Sequence, residues 1–311
     1  MIVVVGTGIV GTHAADLLRK RGHDVRSVSH NTINEVSPEE TEVVLLAHAG
    51  HHERVARRFL QHGCSVVSVG DDSKDVLSLL DLQSDALSAA RTLVVGAACS
   101  PGLSGLLVHY LAAKFDEYDE IHVAVHGTAG PECARQHHRV LSGTALGWHD
   151  DDWLKRPAGS GRELCWFPEP IGSRDCYRGD LADPVLLKHS FSHVNRISAR
   201  VSATRRDRIL GRLPMLIPPH IDGDMGALRV ELRGVKNGER SVEIAGTAHP
   251  MGHIAGAVAA ATAHEIAKHA GTDAAFAPGV FGLGAEELPN TAIFNTVLDS
   301  GVRVQQFYGV H

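Results

Sequence analysis

The sequence has few cysteines, few aromatic residues and no long apolar run. Its five cysteines are odd in number and widely spaced, with no C-x-x-C pair, so they predict neither a disulfide framework nor a zinc knuckle. No apolar stretch approaches the ~20 residues of a membrane span. The chain opens without a basic segment or a cleavage-site pattern, unlike a signal peptide. We therefore expect a cytoplasmic protein with reduced thiols and no membrane partner.

Clustered basic charge is also missing. The formal net charge is −6, and basic residues are scattered, with few and short Arg pairs such as Arg205-Arg206. Nucleic-acid surfaces require a patch or stripe of cations, so we expect no nucleic-acid partner. The 311 residues, 43% of them hydrophobic, are enough for one large or two ordinary domains with a buried core.

Histidine is abundant, with 21 residues, and two clusters invite a metal hypothesis: His48, His51 and His52, and the pair His137 and His138. Neither cluster has a carboxylate or thiolate at a recognised ligand spacing. We therefore predict no metal site and interpret most of these histidines as solvated surface groups.

The first eleven residues contain the most specific pattern. A β-branched run at 2–5 predicts a buried strand, and Gly6-Thr7-Gly8-Ile9-Val10-Gly11 matches G-x-G-x-x-G before a helical pattern that ends at Gly22. In this strand–turn–helix context Gly6 permits a tight turn, Gly8 lets the backbone approach a pyrophosphate, and Gly11 allows close helix packing. The sequence therefore predicts that all six motif residues contact a dinucleotide.

The residues at the end of the second predicted strand, residues 25–29, indicate whether NAD or NADP is preferred. An Asp or Glu at its end would hold the ribose 2′-hydroxyl of NAD, but the chain has Ser29, His30 and Asn31 there. A carboxylate would repel a 2′-phosphate, whereas small hydrogen-bonding groups and an imidazole tolerate one. We predict that these three residues bind the cofactor and favour NADP, with NAD as the alternative.

Strands and helices continue to alternate up to about residue 115. Further strands are predicted at 43–47, 66–69 and 92–97, with helices at 51–62 and 75–91 between them. This order is typical of a doubly wound parallel sheet of the Rossmann type. Right-handed crossovers put the carboxyl ends of the strands along one edge, so we expect the cofactor there, in contact with Ala47 and His48 among others.

A second glycine-bearing segment shows a family resemblance. The strand ends in Gly96-Ala97-Ala98-Cys99, and Ser100-Pro101-Gly102 opens the next helix, with Ser100 as its cap and Pro101 at its first position. This arrangement resembles the saccharopine dehydrogenase-like NAD(P)-dependent reductases, which include carboxynorspermidine dehydrogenases. The resemblance implies that the first glycine segment holds the pyrophosphate and that Cys99 and Pro101 border the nicotinamide.

The resemblance also implies a layout and an activity. The layout is a Rossmann domain at 1–120, a second α+β sheet domain for substrate and dimerisation at 121–250, and C-terminal helices at 251–311 that pack back on the first domain. The activity is an NADP-dependent hydride transfer to or from a C=N or C=O carbon of an amino-acid-derived or amine substrate, that is, an oxidoreductase on CH-NH or CH-NH2 donors. The substrate is a small molecule.

The middle region alternates like a sheet. Strand patterns at 121–125, 197–203 and 228–233 lead to a turn at Asn237-Gly238, a strong hairpin signal. An apolar sheet face must be covered by helices or by another subunit, and the scarcity of helical patterns favours a homodimer. Residues 143–180 contain all three tryptophans with many Pro and Gly residues. We interpret them as a long irregular segment that forms the substrate pocket wall, with a structural wrap or interface as the alternative.

Candidates for the chemistry follow from position and residue type. His126, at the end of the first strand of the second domain, is the leading general acid. Glu169, held between two prolines, is a second catalytic candidate that could bind an ammonium or move a proton. Arg139 and Arg174 are candidate carboxylate clamps, because a guanidinium matches a carboxylate bidentately. Trp166 is a candidate substrate contact in the pocket wall.

Two alternatives remain open from the sequence. In the first, Cys99, placed before a helix N-terminus and beside the nicotinamide, is the thiol nucleophile of an aldehyde dehydrogenase, since the helix end favours a thiolate. In the second, the chain is a non-catalytic sensor that binds NADP and signals through a partner. The aromatic segment disfavours a sensor, because a sensor needs no second concave site.

Overall fold

The structure is a computed structural model that describes residues 1–211, 213, 215, 223–269 and 276–307. Its first part alternates strands and helices, as predicted. The elements are β1 (Ile2–Val5), α1 (Ile9–Lys20), β2 (Val25–Val28), β3 (Val43–Leu46), α2 (Glu53–Gln61), β4 (Ser65–Ser68), α3 (Ser73–Leu80), α4 (Gln83–Ala89), β5 (Thr92–Val95) and α5 (Leu103–Ala112). The helix predicted over 75–91 is two helices, which are separated at Asp81 and Leu82.

The middle of the chain contains more strands than its sequence indicates. The elements are β6 (Glu117–His126), α6 (Pro131–Arg139), β7 (Thr144–His149), β8 (Asp152–Pro157), β9 (Glu163–Trp166), β10 (Ser173–Arg178), α7 (Asp183–Ser190), β11 (Arg196–Ser202), α8 (Arg205–Leu210), β12 (Met225–Lys236) and β13 (Glu239–Pro250). The predicted β12–β13 hairpin is confirmed. Asn237 and Gly238 both have positive φ, as a two-residue type I′ turn requires.

The prediction of an irregular segment at 143–180 was wrong, because it contains the strands β7 to β10. β7 and β8 form a hairpin whose turn residues, Asp150 and Asp151, have φ of 47° and 64°. The strands lack the apolar alternation that reveals most strands, because much of their surface is exposed on both faces. The Pro and Gly residues lie mainly in the turns between them.

The C-terminal part adds α9 (Met251–His269), β14 (Gly279–Gly282), α10 (Asn290–Asp299) and β15 (Gln305–Phe307). The first sheet has the order β14-β5-β4-β3-β1-β2, and all its strand pairs are parallel. The predicted doubly wound sheet is therefore confirmed. β1, β3, β4, β5 and β14 are fully buried, as expected for parallel strands with helices on both faces.

The second sheet is mixed and has nine strands within the described residues. Its main path is β15-β13-β12-β6-β11-β10-β9, with β7 beside β11 and β8 beside β7. The C-terminal segment thus contributes a strand to each sheet, and α9 packs against α1. The division into 1–120, 121–250 and 251–311 stays a prediction.

The two faces of the second sheet differ in character. Its inner face, which includes Val123 and Val230, shares one apolar core with Leu107 of α5. Helices of the same chain therefore cover this face, and the argument for a homodimer from an uncovered apolar face loses its premise. The outer face carries charged side chains such as Arg229, Glu231 and Arg233, which pair along β12. The homodimer stays a prediction.

Candidate functional site

A cavity of about 540 Å³ lies at the carboxyl edge of the first sheet. It extends from the β1–α1 turn to the residues that follow β4 and β5, and α6 and the ends of β6 and β11 form its opposite wall. In doubly wound folds ligands bind in the crevice outside the carboxyl ends of the strands. The cavity therefore occupies the edge at which the sequence predicts a cofactor.

The glycine turn after β1 has the geometry of a phosphate cradle. Gly6 has a φ of +132°, and a Cβ there would lie 2.4 Å from the carbonyl oxygen of Ala47. A Cβ on Gly11 would lie 2.2 Å from the Gly6 carbonyl oxygen, whereas one on Gly8 would meet no protein atom within 4 Å. Gly8 thus faces open space, and the first N–H groups of α1 have no partners within the helix. Both features suit a bound pyrophosphate.

The predicted cofactor residues divide into two groups. Most of them line the cavity: Gly6, Thr7, Gly8, Ile9, Val10, Ser29, His30, Ala47, His48 and Cys99. Gly11, Asn31 and Pro101 do not line it. Gly11 and Pro101 are buried in packing and Asn31 is exposed. Gly11 contributes by allowing the tight turn after β1. Pro101 packs against Gly96 of its own loop, where a Cβ would lie 2.7 Å from Cγ of Pro101.

A buried histidine fixes the loop after β3. The His52 Nε2 donates to the carbonyl oxygen of His48 at 2.9 Å, and its Nδ1 accepts from Oγ of Ser68 at 2.8 Å. Burial lowers the pKa of His52 to about 3, so the ring is neutral. The backbone N–H of His52 donates to the carboxylate of Asp75. This network links the end of β3 to the end of β4 and shapes the cavity floor.

His48 lines the cavity and has a ring nitrogen without a hydrogen-bond partner in the described part of the chain. Its Nδ1 donates to the Ala49 carbonyl oxygen at 2.8 Å, which leaves Nε2 as the acceptor of the neutral ring. This Nε2 is buried and has no hydrogen-bond partner among the described residues. Burial also lowers the pKa of His48.

The loop between β5 and α5 differs from its predicted form. Ser100 does not cap the helix, because α5 starts only at Leu103 after Gly102, whose φ is 126°. The Ser100 Oγ donates instead to the carboxylate of Asp183 at 2.7 Å. Burial, Asp183 and Cys133 all raise the pKa of the Cys99 thiol. Cys99 is therefore held as a neutral thiol, whereas the aldehyde dehydrogenase alternative requires a thiolate.

Helix α6 supplies side chains to the cavity that the sequence did not indicate as site residues. Cys133, Gln136 and His137 line the cavity opposite Asp71, which follows β4. Gln136 donates a hydrogen bond to Asp71, whose pKa burial raises to about 6. The His137 Nε2 donates to the Ser202 carbonyl oxygen at 3.2 Å, and burial lowers its pKa. These residues form the end of the cavity next to Cys99.

Four of the predicted catalytic and substrate-binding residues lie outside the cavity. Val125 lines the cavity, so the next residue, His126, points to the outer face of the sheet. There its Nδ1 lies 2.6 Å from Oγ of Ser202 and its ring lies 6.1 Å from the ring of Phe167. Glu169, Trp166 and Arg174 are exposed in the β9–β10 hairpin. The expected pocket wall at 143–180 is likewise wrong, since no residue of that range lines the cavity.

Arg139 is the one predicted substrate residue that lines the cavity. Its side chain is 62% exposed, and its Nη2 lies 3.3 Å from a carboxylate oxygen of Glu132.

Asp71 could have been identified from the sequence, since it follows Gly70 at the carboxyl end of a predicted strand. Gln136 and His137 could not, because only the packing of α6 against the first sheet brings them to the cavity.

Two other properties of the described residues bear on the site. No three or more His, Cys, Asp or Glu side chains in the described ranges are arranged to hold a metal ion. No helix within these ranges has the length and apolar character needed to cross a membrane.

Comparison with solved structures supports the fold. Saccharopine dehydrogenase (L-Glu forming) from Saccharomyces cerevisiae superimposes with a TM-score of 0.69 at 12% identity, over 99% of each chain. An engineered D-amino acid dehydrogenase bound to NADP+ gives 0.52 at 12% identity, over 94% of this chain and 95% of the other. The DAP dehydrogenase of C. glutamicum in complex with DAP gives 0.51 at 13% identity, over 94% of each.

No protein-family model and no curated protein sequence matches the chain. The resemblance to saccharopine dehydrogenase-like proteins is thus confirmed for the fold, over nearly the whole chain.

Proposed function

We propose that the protein is an NADP-dependent oxidoreductase that transfers a hydride to or from a C=N or C=O carbon of a small amino-acid-derived or amine substrate. The observation that supports this most directly is the continuity of the cavity. A single cavity extends from the glycine turn to Asp71, Cys99 and His137. A dinucleotide bound at the turn would therefore reach the end of the cavity that is formed by the second sheet and α6. Structural neighbours that are amino-acid dehydrogenases agree with this function.

The chain's own residues would bind, orient and enclose the reactants. When bound, the nicotinamide ring supplies or accepts the hydride. The turn at Gly6 and Gly8 would hold the pyrophosphate. Asp71 is a cavity carboxyl whose pKa is raised by burial to about 6, as suits a group that exchanges a proton. The apolar side chains of Val125 and Val201 would exclude water.

The preference for NADP is part of the proposal. Ser29 and His30 line the cavity after β2, and no carboxylate occurs between Asp24 and Glu35. A ribose 2′-phosphate would therefore meet hydroxyl and imidazole groups and no negative charge. Ser29→Asp would add a carboxylate there, so it should weaken NADPH binding much more than NADH binding.

The structure gives less support to the two alternatives. An aldehyde dehydrogenase that uses Cys99 needs a thiolate, but the thiol is 3% exposed and its pKa is raised. A sensor would need no enclosed space beyond the cofactor, whereas this cavity continues to Asp71 and His137. The cytoplasmic location and the homodimer remain expectations, and size-exclusion chromatography with light scattering tests the latter.

Binding of the two reduced dinucleotides tests the proposal. We expect NADPH to bind to the purified protein with micromolar or tighter affinity and NADH to bind more weakly, as measured by calorimetry. Gly8→Val is the matched variant, because Gly8 has an ordinary φ of −80° and open space around its Cβ position. The variant should keep the melting temperature of the apo protein and lose NADPH affinity by about tenfold or more.

The proposal fails if neither dinucleotide binds at millimolar concentration, or if Gly8→Val binds NADPH as tightly as the wild type. A dinucleotide that binds without any turnover in a broad screen of oxo acids with amines would favour the sensor.

A further inference from the structure

The cavity wall contains more carboxylates than cations. In the part of the chain that the structure describes, four carboxylates line it: Asp71, Asp72, Asp75 and Glu132. Among the described residues, Arg139 is the only lysine or arginine in the lining. The lining histidines with a resolved shift, His48, His52 and His137, all have a pKa lowered by burial, so they add no positive charge at neutral pH.

Three of these four carboxylates cap a helix, hold a loop or pair with arginine. Asp72 accepts from the backbone N–H groups of residues 74 and 75 and so caps α3. Asp75 accepts from the backbone N–H of His52 at 2.9 Å. Glu132 pairs with Arg135 at 2.9 Å and with Arg139 at 3.3 Å. These groups have structural roles that explain their positions.

Asp71 has no cationic partner in the described part of the chain. The amide of Gln136 is its side-chain hydrogen-bond donor, and its charged neighbours, Asp72 and Asp183, are both carboxylates. Burial and these like charges raise its pKa to about 6. A carboxylate without a cation in a low-dielectric wall destabilises the unliganded protein, and a cationic ligand would relieve that cost.

Two neutral thiols lie at the same end of the cavity as Asp71. Burial and the nearby Asp71 carboxylate raise the pKa of Cys133 to about 12, and the pKa of Cys99 is also raised, so both are neutral thiols. Attraction between opposite charges is several times stronger in a buried site of low dielectric constant than in water. Among the described lining residues, by contrast, the one lysine or arginine that a ligand carboxylate would meet is Arg139, whose guanidinium is already paired with Glu132.

We infer that the substrate presents a protonated amine or iminium nitrogen to Asp71 and has at most one carboxylate, which Arg139 would receive. This inference rests on the proposed oxidoreductase function and narrows its substrate to amines and monocarboxylic amino compounds. Asp71 is then the residue that sets substrate charge. A dicarboxylate or tricarboxylate would bring more negative charge than the described wall can accommodate.

Ligand binding without turnover tests this inference. Calorimetry on the protein saturated with NADP+ would use three probes of similar length: 1,4-diaminobutane, 4-aminobutanoate and succinate. We expect both amines to bind and succinate not to bind. Asp71→Asn should weaken binding of 1,4-diaminobutane by about 10- to 100-fold, the range for loss of a hydrogen bond to a charged group, and Asp71→Ala should do the same.

Glu132→Gln is the matched control, because it removes a cavity carboxylate that is already paired. It should change the affinity for 1,4-diaminobutane by less than about threefold, as expected for a partly exposed charge. NADP+ affinity, measured separately, should be the same in all variants. Loss of NADP+ binding in the wild type would refute the proposed function, whereas normal NADP+ binding with tighter succinate than amine binding would overturn only the inference. Failure of both amines to bind, or equal amine affinity in Asp71→Asn, would also overturn it.

Discussion

At the scale of single residues, the charge of Asp71 is costly to the unliganded fold. Its pKa is raised from 3.8 to about 6 by burial, Asp72 and Asp183, against the hydrogen bond from Gln136. A raised carboxyl pKa means that the folded state binds the proton more tightly than the unfolded state. The destabilisation is therefore complete above pH 6 and disappears as the pH falls from 6 towards 3.8.

We accordingly predict that Asp71→Asn stabilises the apo protein. The gain in the free energy of unfolding should be about 1–3 kcal/mol at pH 8 and clearly smaller at pH 5, where the wild-type carboxyl is already protonated in the folded state. Urea unfolding of both proteins at the two pH values measures this. A variant that is less stable than the wild type at pH 8 would show that the carboxylate has a partner in the apo protein.

His52 should have the opposite dependence on pH. Its pKa is lowered to about 3 by burial, so the unfolded state binds the proton more tightly, and stability is lost as the pH falls from 6.5 towards 3. By pH 5 this one group costs about 2 kcal/mol. His52→Gln should be less stable than the wild type at pH 7, because two hydrogen bonds are disturbed, but it should lose less on acidification. Equal losses in the two proteins between pH 7 and pH 5 would contradict this assignment.

The sequence indicated the glycine turn at one end of the cavity better than the residues at the other end. Gly6 to Val10 are contiguous, and each glycine is required by a local backbone constraint, so one short pattern locates them. Asp71, Gln136 and His137 come from a strand end and a later helix, and only tertiary packing brings them together. His126 was misplaced for a simpler reason, namely that one step along a strand reverses the face to which a side chain points.

At the scale of elements, the contact between α1 and α9 depends on glycine. A Cβ on Gly252 would lie 2.4 Å from Cγ2 of Ile9, and one on Gly256 would lie 2.7 Å from Cδ2 of His13. Ile9 is also part of the cavity lining. A change in the spacing of these two helices would therefore also move Ile9 at the glycine turn.

Gly252→Ala should destabilise the protein by about 1–3 kcal/mol, the usual cost of overpacking, and should also weaken NADPH binding because Ile9 must move. The buried Ala260→Gly in the same helix is the control. It should cost about 1 kcal/mol in helix propensity and leave NADPH affinity unchanged. Thermal unfolding and calorimetry on both variants distinguish the two effects, and normal NADPH affinity in Gly252→Ala would disprove the coupling.

The elements also show where periodicity fails as a guide. β1, β3, β4 and β5 are short apolar runs between helices, and all were predicted. β7 to β10 were missed because Trp166, Leu164 and similar side chains remain exposed, which removes the alternation on which strand prediction depends. The turn at Asp150 and Asp151 has positive φ without any glycine, so it gave no hairpin signal.

At the scale of the whole molecule, the last segment is part of both sheets. β14 pairs with β5, β15 pairs with β13, and α9 covers α1. A chain that ends at residue 250 should therefore lack cooperative unfolding and NADPH binding, in contrast to the full chain. Urea unfolding followed by circular dichroism measures this, and a shortened chain that unfolds cooperatively and binds NADPH would contradict it.

The position of β14 also affects the order of events during synthesis on the ribosome. β5 (Thr92–Val95) emerges early, but its outer neighbour, Gly279–Gly282, emerges only after the entire second sheet except β15 has been made. Throughout that interval the nascent chain has an open parallel strand edge of high β propensity, which is a template for pairing with other chains. Folding in the cell should therefore be most sensitive to chaperones during this interval of translation.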